Sequence, residues 1–556
     1  MIRYVDKTTG TYADTLEAVG WASLMDELGV RAVSIVDEGG RYKVEGRGEV
    51  DFARPATPGF VFVFDAKNAA PASIDDTLDY EKEREKEKVA REFREATKKK
   101  ASKRGTGQAA DAGVLATPEE PSPKLKLAKM ISSMRKGWNA DRELAWWLHN
   151  NPEAAQQWVE SECSGTACSE KPELSNTQLL NPATGKGVSS AKTEARSPGS
   201  VPGVLVNPFA EWMKMRGMWT SMAAYRSGDD FKFMVLDPAD ISIEALKRVG
   251  RELSDLNLWG GVRLDIESSL KCTQILIINS EGFHAEAVVS LKKRTPRKVV
   301  RGLRQAFFKS LGTAAALMNE AILPLPDWFR IDSRDDANAY LMIIGEAIGE
   351  LGKARGGCLG VLDEDKSDEC SVLQLYRNWL ATGDFTDLME FHHAFGPLML
   401  RKGAAGEYTR LFSSEILSDL LIRSYEEQHM LKEIVENEGF LSVARAIRNT
   451  TIYAVGMKSS NREVQFGLAQ KWKQKMRAGK GEFSIVLAEF VQANNWEVAH
   501  KLKGLGHQIE VADLDKVCEL VERHGEELVG SLLLAYGYSR AAKVGTDAVD
   551  IEEKQI

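Results

Sequence analysis

A chain of 556 residues with a formal net charge of −8 is too long for one compact core and too acidic overall to coat nucleic acid indiscriminately. Its hydrophobic share of 43% and charged share of 28% are those of an ordinary globular protein, and the length suggests roughly two to four domains. No apolar run approaches the ~20 residues of a membrane helix, and the stretch Met1–Lys7 lacks the apolar core of a signal peptide. A cytoplasmic protein with no membrane partner is expected.

The chain opens as a small α/β unit over residues 1–100. Leu16, Val19, Leu24 and Leu28 have helical spacing, and β-rich runs follow at Ala32–Val36 and Phe60–Phe64. Asp75 to Lys100 is a dense mixed-charge run, and its alternating signs over Glu81–Glu95 fit a solvent-exposed helix. The basic stretch Lys98–Arg104 leads into a Gly/Ala/Pro/Glu-rich linker over 101–125. A helical segment with Trp146, Trp147 and Trp158 and then a polar basic loop occupy 126–203.

Inside that loop, Leu180-Asn181-Pro182-Ala183-Thr184-Gly185-Lys186-Gly187 invites comparison with a phosphate-binding loop. The motif requires Gly at position 180 and Ser or Thr at 187. Leu180 and Gly187 stand there instead, so nucleotide hydrolysis is not expected. What remains is a surface turn or a basic loop against a phosphate backbone, with Asn181, Lys186 and Lys192 as its candidate contacts. Of the six cysteines only Cys163 and Cys168 are close, and neither a second pair nor spaced histidines accompany them. Free thiols are expected, with no metal and no cofactor.

The middle segment, 204–400, reads as α+β. Asn207–Trp219 is apolar and aromatic with helical spacing. Strands are predicted at Phe231–Leu236, Gln274–Ile278 and Ala285–Leu291, and a helix at Ile243–Leu253. The run after Leu291 holds Lys292, Lys293, Arg294, Arg297, Lys298, Arg301, Arg304 and Lys309, eight cations with no acid between them. Pro296 suits a first helical turn, and the spacing predicts a helix with Arg297, Arg301 and Arg304 in one outward row. Such a row should repel itself unless phosphates neutralise it.

Residues 401–556 predict an all-α bundle. Gly403–Gly406 breaks the pattern; beyond it Leu468, Trp472 and Met476 share a face, as do Phe483, Leu487 and Phe490, and Leu514, Val517 and Val521. Asp513 is the expected cap of the last of these. Between Leu441 and Lys480 the cations include Arg445, Arg448, Lys471, Lys473, Lys475 and Arg477, against a single acid, Glu463. A merely solvated face usually mixes signs, so a phosphate-facing surface is expected.

The order of these C-terminal elements, Leu441 to Ile452, Gly467 to Arg477, Phe483 to Phe490 and the close Leu532–Arg540, resembles the C-terminal region of the large subunit of type I CRISPR surveillance complexes (Cascade). The likeness covers the C-terminal third well, and Thr15–Val36, Asn181–Gly187 and Asn207-Pro208 more loosely. It implies a catalytically inert subunit that sits at the 5′ end of the guide CRISPR RNA. Such a subunit reads the protospacer-adjacent motif on target duplex DNA and holds the displaced strand. The implied partners are the backbone subunits, the small subunit and a recruited helicase-nuclease or transposon targeting protein. Some relatives also make the bundle separately from an internal start, which Met399 and Met430 bracket here.

No sequence pattern contradicts the absence of catalysis. The eight histidines include His392-His393 but form no HExxH; Asp237, Asp240, Asp363 and Asp365 are scattered in turn-like sequence, and Asp237-Pro238 and Asp363-Glu364-Asp365 read as turns or caps. A divergent metal-dependent nuclease and a protein-interaction scaffold without nucleic acid are the two competing readings.

Overall fold

The computed structural model describes residues 1–71, 74–104, 118–133, 138–174, 179–182, 207–227, 230–283, 287–310, 315–351, 356–425, 428–456, 463–479, 481–502 and 506–541. The first layer comprises β1 (Ile2–Asp6), α1 (Tyr12–Glu27), β2 (Arg31–Asp37) and β3 (Arg41–Arg47). Next come a parallel pair, β4 (Phe62–Phe64) and β5 (Thr77–Asp79), and the charged α2 (Tyr80–Arg104). Three helices follow: α3 (Lys124–Ser133), α4 (Asn139–Asn150) and α5 (Pro152–Ser164). The expected solvent-facing character of Glu81–Glu95 holds, with Glu81, Arg84, Glu85 and Lys88 exposed.

The middle of the chain comprises α6 (Pro208–Ser221), β6 (Met222–Ser227), β7 (Asp230–Pro238), β8 (Asp240–Ser242), α7 (Ile243–Asp255) and α8 (Val262–Ile278). A 3-10 turn at Pro296–Lys298 leads into the β9 (Val300–Ser310) and β10 (Ala315–Pro324) hairpin, followed by α9 (Arg334–Ile348). Two antiparallel sheets result, in the orders β1-β3-β2-β8 and β10-β9-β7-β6. Because β8 pairs with β2, the N-terminal sheet is completed by a strand from the middle of the chain.

Helices α1 and α6 lie against each other at the centre of this α+β body. Thr11 caps α1, accepting from the Ala13 N–H, and Asn207 caps α6 with Pro208 in its first turn. The two backbones touch through glycine: a Cβ on Gly20 would stand 1.9 Å from the Met213 carbonyl oxygen, and one on Gly217 1.9 Å from that of Leu16. No side chain fits either place. This close approach buries α1 nearly all round, beyond the single apolar stripe its sequence shows.

The remaining helices are α10 (Ser367–Thr382), α11 (Phe385–Ala404), α12 (Ser414–Ser424), α13 (Gln428–Val435), α14 (Glu438–Thr450), α15 (Ile452–Gly456), α16 (Leu468–Met476), α17 (Glu482–His500), α18 (Val511–His524) and α19 (Glu526–Gly537). Trp472 of α16 is fully buried with Phe483 and Phe490 of α17 around it, at ring separations of 5.2 and 5.5 Å. Val517 and Val521 of α18 are buried too, as their spacing predicts, whereas Leu514 is only partly covered. Asp513 lies inside the first turn of α18 and accepts a hydrogen bond from Ser442 (2.6 Å), so it links two helices and does not cap one.

Residue 401, the expected start of the bundle, falls within α11. That helix belongs to the bundle's core: a Cβ on Gly396 would stand 2.5 Å from Tyr538, and Phe395 packs on Phe412 at 5.1 Å. A chain begun at Met399 would lack both. The apolar core is continuous from Val5 to Tyr538.

Three secondary-structure expectations are corrected. Gln274–Ile278 ends the buried helix α8, because a short apolar run does not distinguish a buried strand from a buried helix. The predicted strand Ala285–Leu291 is, over its described residues 287–291, an irregular segment with one bridge, Ser280 to Val289. The predicted arginine helix stops after the 3-10 turn and becomes β9, held between β7 and β10. No helix among the described residues is long and apolar enough to cross a membrane.

Candidate nucleic-acid interface

The basic segment from Lys292 to Arg304 divides into an outer and an inner part. Its outer part is a loop fastened on two sides. The Glu281 carboxylate accepts the N–H groups of Leu291 and Lys292, while Lys293 donates to the Ile331 carbonyl and Ile331 donates back to Arg294. Burial works to raise the Glu281 carboxyl, but those N–H groups outweigh it and hold it below the usual range. Lys293 sits at φ 62°, a left-handed conformation that costs a non-glycine residue on the order of 1 kcal/mol.

Lys292, Lys293 and Lys298 are exposed and form no ion pair among the described residues, and Arg330, one residue from the fastening point, is the same. Arg330 escaped the sequence reading, since a single cation in Trp328-Phe329-Arg330-Ile331 carries no charge pattern. Arg294 is half-buried and paired with Asp240 at 2.7 Å.

The inner part is structural. Arg297 donates to the carbonyls of Leu325 (2.6 Å) and Leu380 (3.4 Å). Arg301 pairs with Asp37 and, at 2.9 Å, with Asp237; Arg304 pairs with the same Asp237 at 3.1 Å and donates to the Gly10 carbonyl. Asp237 is fully buried, and it also accepts from the Tyr42 hydroxyl at 2.7 Å. Burial, followed by the neighbouring Asp237, pushes that phenol far above its ordinary value. The expected outward row therefore does not exist: Arg297 stands in the 3-10 turn and Arg301 and Arg304 in a strand, where faces alternate at every residue and the helical intervals of four and three define no row. The expectation that Asp237 marks a turn or cap is corrected with it, since it ties β7 to β9 and the N-terminal sheet. Asp365 does sit in a turn, donating its N–H to the Asp363 carboxylate at 3.1 Å.

Asn181 is also turned inward. It is buried, donates to Glu211 at 2.8 Å and accepts from Lys214 at 2.7 Å, so it is held on α6 and not offered to a ligand. Lys186 and Lys192 lie outside the described residues.

In the C-terminal bundle Lys471, Lys473, Lys475 and Arg477 find carboxylates from other helices. Lys471 pairs with Glu489 (2.8 Å) and Lys475 with Glu482 (2.7 Å), both on α17. Glu390 of α11 lies 3.9 Å from Lys473 and 3.8 Å from Arg477, and Glu527 of α19 lies 4.0 Å from Arg477. Arg448 is buried and donates to the carbonyls of Ser539 (2.5 Å) and Tyr536 (2.8 Å), with its guanidinium pushed down by that burial. Arg445 alone of the six is exposed without an ion pair among the described residues. The unmixed charge of this stretch is thus a feature of the sequence window, and in space the signs are mixed.

Chemically, the outer loop offers a cluster of exposed ammonium groups on a fastened backbone, suited to phosphate. Among the described residues no group of three or more His, Cys, Asp or Glu could hold a metal ion. Burial pushes His392 and His393 down to about 3 and 4, which leaves neutral imidazoles at pH 7. Burial likewise pushes Asp141 and Glu346 up to about 7, but they sit on separate helices, α4 and α9, with no cleft between them described. A scan of protein-family models finds no match to this chain, and no curated protein matches it.

Proposed function

We propose that the chain is the non-catalytic large subunit of a type I CRISPR RNA-guided DNA surveillance complex, working in the cytoplasm. In this reading it binds the 5′ end of the guide RNA, reads the protospacer-adjacent motif on duplex DNA and stabilises the displaced strand. Backbone and small subunits are its neighbours, and a helicase-nuclease or transposon targeting protein is recruited to it. One observation carries the reading: the four segments that bear the resemblance assemble into a single bundle. Arg448 and Phe440 of α14 engage Tyr536 of α19, Trp472 of α16 packs on α17, and Met476 of α16 meets Gly530 of α19. An α+β body of two antiparallel sheets precedes it. The phosphate-binding role falls to Lys292, Lys293, Lys298 and Arg330, with Arg445 as a separate contact on α14.

The test is binding of a labelled single-stranded RNA and of a DNA duplex by the purified chain over a series of salt concentrations. The expected result is affinity that falls steeply with salt, with no cleavage of either probe when magnesium is added. Salt-independent behaviour or no binding would sink the nucleic-acid role. Magnesium-dependent cutting would favour the nuclease instead.

A further inference from the structure

The C-terminal bundle carries a surface that the nucleic-acid reading does not use. Between the start of α11 and the corner where α18 meets α19 lies a groove of roughly 900 Å³, the size of a site for several side chains and far larger than one for a single ion. Its floor is apolar: Phe385 and Met389 from α11, Met476 from α16 and Leu528 from α19. Methionine adapts its shape to an apolar visitor at little conformational cost. Among the described residues the carboxylates of the wall are Glu522, Glu526 and Glu527, against the guanidinium of Arg477.

Among the described residues the balance of that rim is acidic. Arg477 is already approached by Glu527 and by Glu390 of α11. Glu526 is occupied with the N–H groups of Gly481 and Phe483. Glu522 is exposed and forms no ion pair among the described residues. Asp384, the N-cap of α11, and Asp387 in its first turn add two acids next to Phe385 and Thr386 in the chain. A phosphate backbone is repelled here, and so is an acidic peptide. An apolar floor under an acidic rim is complementary to a helix with leucine-like residues on one face and lysine or arginine flanking them.

We infer that this groove docks a basic amphipathic segment of a protein partner. The inference does not depend on the proposed nucleic-acid role, because the surface concerned is the one that nucleic acid avoids.

The experiment measures fluorescence anisotropy of a labelled helical peptide built from leucine and lysine, and of its counterpart with glutamate for lysine, against the full-length chain. The lysine peptide should bind and the glutamate peptide should not. The double variant Glu522→Lys/Glu527→Lys should weaken binding by about tenfold or more. A control, Glu81→Lys/Glu85→Lys, changes the net charge equally on the exposed face of α2 and should leave the affinity within about twofold. Both pairs are surface positions, and circular dichroism of each variant should match the parent. Equal binding of the two peptides, or equal weakening by both charge reversals, would overturn the inference. RNA and duplex binding by the Glu522/Glu527 variant should be undiminished, so a failure of the groove and a failure of the nucleic-acid role give different results.

Discussion

In the segment from Lys292 to Lys309 the cations divide by depth, whereas between Arg445 and Arg477 they divide by which neighbouring helix supplies their carboxylate. The first segment sends Arg301 and Arg304 to a fully buried aspartate and leaves Lys292, Lys293 and Lys298 in water. In the second, the described cations other than Arg448 stay near the surface, and most are answered by Glu390, Glu482, Glu489 or Glu527. Equal charge in sequence therefore has unequal consequences. Removing one partner of a buried pair leaves an uncompensated charge in a low-dielectric interior, while an exposed pair is screened by solvent and salt.

The largest expected effect tests the buried half of that contrast. Arg304→Ala leaves Asp237 with one guanidinium in place of two and should cost about 3–5 kcal/mol of folding stability, read from urea denaturation. A loss below about 1 kcal/mol would mean that Asp237 and its partners are not closed off from water. Arg448→Ala should cost about 2–4 kcal/mol, because the carbonyls of Tyr536 and Ser539 then lose a charged donor at the end of α19.

A third prediction sets a buried carboxyl without a cation in place against the doubly paired Asp237. Burial raises Asp141 from 3.8 to about 7, against the opposing pull of Trp219 and Arg142. With the folded value above the unfolded one, the neutral carboxyl's contribution is fully present below about pH 4 and is lost as pH rises through about 7. Asp141→Asn, which is neutral at every pH, should gain about 1–3 kcal/mol on the parent between pH 5 and pH 8, measured as the difference in unfolding free energy. A pH-independent difference would show that Asp141 is already charged when folded.

The surface half of the contrast predicts small effects on stability and a large one on binding. Replacing Lys292, Lys293 and Lys298 together by Ala should shift stability by less than about 0.5 kcal/mol. The same change should flatten the salt dependence of RNA or DNA binding by about two units in the log–log slope. An unchanged slope would remove this loop from the interface. The smallest effect is expected of Lys471→Ala, within about 0.5 kcal/mol on stability, since Lys471 and Glu489 are both more than half exposed.

Much of the architecture was legible in the sequence. The helix from Tyr12, the strands near Ala32 and Phe231, the helix at Ile243 and the apolar stripes of the C-terminal bundle stand where their periodicity places them. Those are local signals: a pattern of 3.6 or 2 residues is imposed by backbone geometry and needs no knowledge of the partner. The mixed-charge helix was equally plain, because alternating charges with few apolar residues leave only a narrow face to bury.

The candidate site was much less legible, and the reason is physical. Whether a cation meets a phosphate or a carboxylate is decided by what the fold brings within a few ångströms of it, and charge interactions do not follow chain order. Asp37 and Asp237 lie far from Arg301 in sequence, and Glu390 and Glu527 reach Arg477 from helices far apart in the chain, α11 and α19. The same holds for Asn181, whose polar neighbourhood suggested exposure until α6 supplied Glu211 and Lys214. The sequence by itself determined that this chain has an α+β body and a helical C-terminal region, through periodicity and turn residues. Only the tertiary structure decided which of its described cations hold the fold and which are left exposed, because burial and counter-charge are properties of the assembled packing and not of any window along the chain.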